Sequence, residues 1–257
     1  MLGAIAGDII GSVYEARPIK SKSFSFFSSG CRFTDDSVLT AAVADAILHN
    51  ADYTDKFHEY FAKYPHAGFG GSFMQWAMTG SRQPYYSFGN GSAMRVSPVG
   101  FAFADLDALL AEAEKSAAVT HNHPEGIKGA QATAAAVFMA NTGADKDEIR
   151  TFAQERFGYS LDQPLTDIRQ DYHFDVSCQG SVPQSLIAFF ESTDYEDAVR
   201  NAISLGGDAD TMAAIAGAAA EAAYGLPDWI RQKALSCLDV PLKRVVQEFT
   251  ERFMTAL

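Results

Sequence analysis

The chain has 257 residues, of which 47% are hydrophobic, so it can bury a substantial core and is not an intrinsically disordered chain. Its formal net charge of −12 argues against unspecific binding to nucleic acid or anionic membranes, because both need a basic surface. Three widely spaced cysteines form no C-x-x-C pair, which disfavours a disulfide framework or a zinc knuckle and favours a reduced cytoplasm. The first residues lack the basic segment of a signal peptide, and the longest apolar run is too short for a membrane span. We therefore expect a cytoplasmic monomer with no nucleic-acid or membrane partner.

Apolar periodicity predicts a first buried helix within residues 2–14 and a second helix from Asp35 to about His49. Between them, residues 20–33 are expected to form a loop with hydrophobic anchors. Thr54-Asp55 are predicted to cap a short helix that ends near Tyr64. Further helices are predicted, in chain order, at 74–78, 106–120, 126–141, 146–157, 182–191, 195–205, after Thr211, at 228–238 and at 240–255.

Residues 158–180 are polar and aromatic without a clear period, and we expect them to form a long surface excursion. No useful run of alternating residues, no βαβ rhythm, no fixed-period repeat and no linker is found. The sequence therefore predicts an all-α fold in a single domain spanning 1–257.

Two acidic clusters open two of the predicted helices. Gly206-Gly207-Asp208-Ala209-Asp210-Thr211 precedes a run of small apolar residues, and Thr34-Asp35-Asp36-Ser37 precedes the helix to His49. Taken alone, either cluster is explained by an N-cap with an extra acid, because a helix start presents unpaired N–H groups and the positive end of the dipole. The repetition favours two halves of one oxygen-lined site instead.

The two clusters together offer the ligands of a hard metal ion. Their four aspartates would balance two divalent cations, and Thr34 and Thr211 add hydroxyl oxygens. Oxygen donors suit Mg²⁺, Mn²⁺ or Ca²⁺ better than zinc or copper. Four buried carboxylates without metal would repel one another, so convergence of the clusters would require cations. Spacing alone does not establish that they converge.

Other polar motifs are less specific. His121-x-His123 has no suitable third ligand for zinc, so these are loop histidines, or one of them donates a hydrogen bond to a bound ligand. The glycine-rich turns at 68–71 and 87–92 lack the lysine of a P-loop and do not follow a strand. Each is either a plain turn or a source of backbone N–H groups for an anion.

Five motifs, in the same order along the chain, resemble those of the ADP-ribosylglycohydrolases. They are Gly-Asp-x-x-Gly-Ser-x-Tyr-Glu at 7–15, Thr-Asp-Asp at 34–36, Ser-Phe-Gly-Asn-Gly-Ser-Ala-Met-Arg-Val at 87–96, Thr-His at 120–121 and Gly-Gly-Asp-Ala-Asp-Thr at 206–211. The resemblance implies an all-α orthogonal bundle with two Mg²⁺ or Mn²⁺ ions that releases ADP-ribose from modified proteins or small molecules.

The resemblance also implies roles for individual residues. The implied metal ligands are Thr34, Asp35, Asp36, Asp208, Asp210 and Thr211. Glu15 matches a glutamate that reaches the metals from a mobile flap. It is implied to be catalytic, as are Asp35 and Asp36. The implied ligand-binding residues are Gly70, Gly71, Ser87, Phe88, Gly89, Asn90 and His121, with a looser match at the first two. Ser37 departs from the threonine of many relatives, and nothing is carried over to residues 158–180.

The expected activity is metal-dependent cleavage of a glycosidic bond, with arginine, serine and ester linkages all open. Two other functions stay open: a non-catalytic ADP-ribose-binding or structural protein, and a two-metal phosphoesterase that cuts the diphosphate. The complete set of acids argues against the first. The products would distinguish the second from a glycosidic hydrolase, because a phosphoesterase would release AMP instead of ADP-ribose.

Overall fold

The computed structural model describes residues 1–254 and has fifteen α-helices in that part of the chain. They are α1 (Leu2–Gly11), α2 (Asp35–His49), α3 (Tyr53–Lys63), α4 (Gly71–Met78), α5 (Gly91–Met94), α6 (Ser97–Ala102), α7 (Leu106–Ala118), α8 (Pro124–Asn141), α9 (Lys146–Phe157), α10 (Leu165–Asp171), α11 (Cys178–Phe190), α12 (Tyr195–Ile203), α13 (Ala209–Tyr224), α14 (Asp228–Cys237) and α15 (Val240–Phe253). These residues form no strand, and the β-bridge between Gly89 and Ser177 is isolated. The all-α prediction is confirmed. None of these helices is both long and apolar enough to cross a bilayer.

Helix α13 lies at the centre of the fold. Its residues from Ala209 to Glu221 are all buried, and it packs against α1, α8, α11 and α12. Its small side chains let α1 approach so closely that a Cβ at Gly7 would overlap the carbonyl oxygen of Ala213. The chain enters α13 through Gly206, whose φ of 68° favours glycine. The predicted buried, closely packed helix is confirmed.

Several helix starts differ from the sequence prediction because of local capping. The cap of α3 is Asp52, whose side chain accepts a hydrogen bond from the N–H of Asp55, so the predicted Thr54-Asp55 cap is wrong. Helix α6 was not expected, and α8 begins two residues early. Both have a proline in the first turn, where its missing N–H is not needed. The prediction that the last helix extends to 255 falls outside the described residues.

The expected surface excursion at 158–180 is wrong in its second half. Helix α10 interrupts it, and α11 begins already at Cys178. Just before α11, the carbonyl of Val176 accepts from the N–H of Asn90 at 2.7 Å, and the N–H of Cys178 donates to the carbonyl of Phe88 at 2.8 Å. This segment therefore packs beside the turn at 87–92. Pairing with a distant loop leaves no local periodicity to detect.

Because α1 and α13 are in close contact at Gly7, adding a single methyl group there should lower the stability of the fold strongly. Gly7→Ala should lower the free energy of unfolding by about 1–3 kcal/mol, because the two backbones must separate to admit it. Gly71→Ala is the control, since no atom lies within 4 Å of its Cβ position, and it should be neutral or slightly stabilising. Urea titration followed by circular dichroism measures both. Equal stability of the two variants would contradict the close approach.

Candidate active site

The starts of α2 and α13 face a common cavity of about 330 Å³. Its other walls are the turn before α4, the turn before α5 and residues of the segment before α11. The residues singled out from the sequence that line it are Glu15, Thr34, Asp35, Asp36, Gly70, Gly71, Ser87, Gly89, Asn90, His121, Asp208, Asp210 and Thr211. Phe88 is not among the lining residues. This residue is 49% exposed, and its ring centre lies 5.4 Å from that of His123.

The buried carboxylate of Asp8 fixes the start of α2. It accepts hydrogen bonds from the backbone N–H and hydroxyl of Thr34, at 2.9 and 2.7 Å, and from the N–H and hydroxyl of Ser37. The Thr34 hydroxyl in turn accepts from the N–H of Asp36, which makes Thr34 the N-cap of α2. Asp8 therefore orients the acidic turn from a neighbouring helix, a role that its sequence position in an apolar helix did not reveal.

At the start of α13, Asp208 occupies the N-cap position without a side-chain capping bond. Its carboxylate accepts instead from the amide of Asn90 at 2.8 Å. The hydroxyl of Thr211 lies 3.4 Å from the carboxylate of Asp36, so the two helix starts meet. An N-cap with a spare acid does not explain this arrangement, because the acids turn towards each other instead of capping.

The acids of the cavity have the features of a cation site. One carboxylate oxygen each from Glu15, Asp208 and Asp210 lie within 4.8 Å of one another. Beside them, Oδ1 of Asp36 is buried without a hydrogen-bond partner among the described residues. A buried, unpartnered carboxylate oxygen is costly unless a cation binds it. All the donors are oxygens, so the residues fit a hard divalent ion.

The same crowding shifts the proton affinities of these groups. Burial raises the pKa of Asp35 to about 7 and raises the pKa of Asp208 as well. Burial, and then the charge of Asp210, holds the pKa of Asp36 far above the usual range of an aspartate. Burial, and then the charge of Asp208, does the same for the pKa of Asp210. Burial and the charge of Asp208 also raise the pKa of Glu15. Without a cation, the cluster therefore keeps protons that isolated carboxylates would lose.

Glu15 lies on the loop after α1, and Arg200 of α12 fastens the following part of that loop. The Arg200 guanidinium donates to the carbonyls of Lys22 and Phe24 at 2.8 and 2.7 Å. It also lies 4.4 Å from the ring centre of Phe26. Residues 22–26 are thus held against α12, which limits any motion of Glu15 to the residues nearest to it.

Sequence reasoning missed four side chains of this region. Asp8 supports α2, Arg95 lies buried at the cavity, and Phe174 and Val176 line it from the segment before α11. The acid in an otherwise apolar helix was a visible signal for Asp8. Arg95 stands in the motif at 87–96 that carries the resemblance, although no role was assigned to it. No sequence signal pointed to Phe174 or Val176.

The family model for ADP-ribosylglycohydrolases matches residues 1–257. The chain belongs to the ADP-ribosylglycohydrolase family. The resemblance seen in the motifs is thereby confirmed.

Two named hydrolases are similar to this chain in sequence, and one solved structure is similar in fold. ADP-ribosylhydrolase ARH3 of Mus musculus is 25% identical, over 96% of this chain and 91% of that protein. ADP-ribosylarginine hydrolase Tri1 of Pseudomonas putida (strain GB-1) is 29% identical, over 64% of this chain and 46% of that protein. A solved ADP-ribosylglycohydrolase-related protein complex has the same fold, with a TM-score of 0.70 and 23% identity over 97% of this chain and 95% of that chain.

The raised pKa values predict how pH changes stability. Metal-free protein should lose stability as the pH rises from about 4, the ordinary pKa of an aspartate, to about 7, the raised pKa of Asp35. In this interval the unfolded chain has released protons that the folded cluster retains, so the free energy of unfolding falls with pH. A divalent cation binds the deprotonated folded cluster, so the rise in Tm that Mn²⁺ causes should grow over the same interval. Calorimetry with EDTA and with Mn²⁺ measures both trends.

Two variants on α2 test whether the acidic cluster causes the loss of metal-free stability and the rise in Tm with Mn²⁺. Asp36→Asn should raise the metal-free Tm at neutral pH, because an asparagine stays neutral in the buried cluster without having to take up a proton. It should also reduce the Mn²⁺-induced shift, because an amide oxygen is a weaker cation ligand than a carboxylate. Asp45→Asn is the control: Asp45 accepts from Lys56 at 2.8 Å and Tyr60 at 3.0 Å. This variant should be destabilised by about 1–3 kcal/mol and keep the Mn²⁺ shift. Similar losses of metal-free stability in both variants would mean that Asp36 is an ordinary structural acid.

The fastening of the loop by Arg200 is tested by hydrogen exchange. Arg200→Gln should increase amide exchange in residues 20–27, because two carbonyls lose a charged donor and two aromatic rings lose their cation. Arg200 also forms a salt bridge with Glu196, four residues away. Arg244→Gln is the control, since Arg244 forms the same kind of salt bridge with Glu248 but is exposed. Equal exchange of residues 20–27 in both variants would show that the loop is held by other contacts.

Proposed function

We propose that this protein hydrolyses the glycosidic bond that joins ADP-ribose to a protein side chain or a small molecule, and releases ADP-ribose. The observation that carries the proposal is the cavity in which five carboxylates face two turns rich in glycine and serine. Membership of the family supports ADP-ribosyl hydrolysis as the class of reaction. The cations, the linkage and the residue roles are part of the proposal.

Two Mg²⁺ or Mn²⁺ ions are proposed to bind in the cavity. Their proposed ligands are Thr34, Asp35, Asp36, Asp208, Asp210 and Thr211. The all-oxygen donor set and the unpartnered Oδ1 of Asp36 support this assignment. The Thr34 hydroxyl donates its proton to Asp8, which leaves a lone pair of that oxygen for a cation. Bound cations would supply Lewis acidity, which polarises sugar hydroxyls and lowers the pKa of a water molecule.

The two glycine-rich turns are proposed to hold the diphosphate and the ribose. Gly70 and Gly71 begin α4, where free N–H groups and the positive end of the helix dipole attract phosphate. Neither glycine has an atom within 4 Å of its Cβ position, so the backbone there is accessible. Ser87 and Gly89 are proposed to form the opposite wall. Phe88 lies half exposed beside them and is proposed to contact the ligand.

Glu15 is the proposed general base. Its carboxylate lies beside those of Asp208 and Asp210, and its raised pKa favours accepting a proton from water at neutral pH. The water attacks the anomeric carbon as the bond to the leaving group breaks, and the leaving group departs with the electron pair of that bond. Glu15 takes the proton that the water loses and passes it to the leaving group. Positive charge develops on the ribose ring in this step, and the carboxylates of Asp35 and Asp36 stabilise it.

The substrate is proposed to be an ADP-ribosylated protein or a small ADP-ribose conjugate in the cytoplasm. Arginine N-glycosides, serine O-glycosides and esters all present a leaving group on the same carbon. The Pseudomonas putida relative is named an ADP-ribosylarginine hydrolase, which makes arginine conjugates the first to test. A monomer with one domain spanning 1–257 is proposed to be the working form.

The function is tested with arginine-, serine- and ester-linked ADP-ribose conjugates in Mg²⁺ or Mn²⁺, with products identified by mass spectrometry. Free ADP-ribose is expected. AMP would indicate a phosphoesterase, and binding without turnover would indicate a non-catalytic binder. Glu15→Gln should lower kcat by about a hundredfold or more and leave the Kd for ADP-ribose nearly unchanged, because the base acts in the transition state. Turnover of Glu15→Gln at the wild-type rate would assign the base to another carboxylate.

A further inference from the structure

Arg95 is a buried cation that the proposed chemistry does not use. Its side chain has no exposed surface, although it borders the cavity, and its guanidinium lies 4.4 Å from the ring centre of Phe57. Burial lowers its pKa to about 10, so it is still charged at neutral pH. Only Nη2 has hydrogen-bond acceptors among the described residues, and Nε and Nη1 have none. Burying a charged group with two unpartnered nitrogens costs free energy of folding, which makes Arg95 a candidate for a functional role.

The acceptors of Nη2 connect Arg95 to His121. Nη2 donates to the carbonyl of Ser116 at 3.3 Å and to the hydroxyl of Thr120 at 2.9 Å. The Thr120 hydroxyl oxygen lies 2.7 Å from Nδ1 of His121. A threonine hydroxyl has a single proton to donate. Because an arginine can only donate, the hydroxyl oxygen accepts from Arg95. The side chain of Tyr85 is also hydrogen-bonded to Thr120, and its phenol keeps its proton at neutral pH, so it can donate to the same oxygen. Two donors on that oxygen leave the threonine proton for Nδ1 of His121.

This direction of donation sets the state of the imidazole ring. If Nδ1 accepts, a neutral ring carries its proton on Nε2. Burial, and after it the charge of Arg95, holds the pKa of His121 well below its ordinary value, which favours the neutral form. The neighbouring Tyr85 ring lies 6.0 Å away, and burial raises its pKa, so it adds no negative charge that would favour an imidazolium.

Nε2 of His121 points to the side of the cavity formed by the turn before α5. A Cβ would lie 3.1 Å from Nε2 if placed at Gly91, and 3.5 Å if placed at Gly89. The two glycines therefore leave this nitrogen uncovered. Nε2 has no protein acceptor among the described residues, so its hydrogen is available to a ligand.

We propose that Arg95, acting through Thr120, holds His121 as the neutral tautomer protonated on Nε2, so that His121 donates a hydrogen bond to an oxygen of the bound ligand. Arg95 and Thr120 are positioning residues. The identity of the ligand as ADP-ribose rests on the proposed function, whereas the tautomer does not. A phosphate or hydroxyl oxygen accepts such a bond, and a histidine with its proton on Nδ1 would instead present a lone pair to it.

The tautomer is measured by two-bond ¹H–¹⁵N correlation spectra of protein labelled with ¹⁵N-histidine, at neutral pH and without ligand. Loss of one signal set in His121→Gln assigns the resonance. The wild type should show a neutral ring protonated on Nε2. A ring protonated on Nδ1, or an imidazolium, would overturn the proposal whatever the activity of the protein.

Substitutions at Thr120 test the connection without removing the buried charge. Thr120→Val keeps the shape but removes the hydroxyl, and should shift His121 at least partly to the tautomer protonated on Nδ1. Thr120→Ser restores the hydroxyl and should restore the Nε2 tautomer. Ser116→Ala is the matched control, because it removes a buried hydroxyl one helical turn away that donates only to Ala113. An unchanged tautomer in folded Thr120→Val would overturn the role of Thr120 and Arg95.

Calorimetric titration with ADP-ribose in Mg²⁺ tests the donated bond. Thr120→Val should weaken binding about tenfold, as expected for one hydrogen bond to a ligand oxygen. Thr120→Ser and Ser116→Ala should stay within about twofold of the wild type, a change of under about 0.5 kcal/mol. A switched tautomer with unchanged affinity would overturn the bond to the ligand. A wild-type protein with the Nε2 tautomer but no affinity for ADP-ribose would contradict the proposed function and leave the tautomer assignment supported.

Discussion

Repulsion between five carboxylates in one small cavity is the constraint on which the rest of this structure depends. Three of them place oxygens within 4.8 Å of one another, and Asp36 adds an oxygen with no partner among the described residues. Carboxylates that were free in solution would move apart, and a flexible protein would allow these to do the same. The protein holds four of them at two helix starts, where backbone N–H groups and helix dipoles offset part of the repulsion, and the fifth, Glu15, on the loop after α1. The remainder is a driving force for binding cations.

Close backbone packing and several hydrogen bonds hold the acidic turns in place against this repulsion. Helix α1 touches the backbone of α13 through Gly7, and one residue later Asp8 binds the start of α2 with four hydrogen bonds. The same short helix thus sets the positions of both acidic turns relative to each other. Asn90 fixes Asp208 from a third direction. The acids lower the stability of the metal-free fold, and these contacts keep their positions defined in spite of that.

The loop that bears Glu15 is built differently from the rest of the site. Phe24 and Phe26, further along it, pack on Arg200. The ring centre of Phe24 lies 4.9 Å from that of Tyr14, and the ring centre of Phe26 lies 6.0 Å from that of Trp229 in α14. Glu15 itself is exposed at the cavity and has no hydrogen bond that fixes its carboxylate among the described residues. A carboxylate without a fixing hydrogen bond, on a loop that is otherwise anchored, is compatible with the proposed role of Glu15 as general base.

The sequence by itself determined the helical class, the buried character of α13 and the two acidic turns. These features are local: apolar periodicity, capping residues and short motifs act within a few positions along the chain. It also determined which residue types could bind a cation, because oxygen chemistry can be read from side chains alone. The family followed from the order of five motifs.

Only the tertiary structure decided that the two acidic turns share one cavity. It also decided that Asp8 supports α2, that Val176 pairs with Asn90, and that Arg95 reaches His121 through Thr120. Each of these depends on residues far apart in the chain, such as Asn90 and Asp208, which are separated by 118 positions. No local propensity encodes such a contact, because it exists only after the helices between the partners have packed.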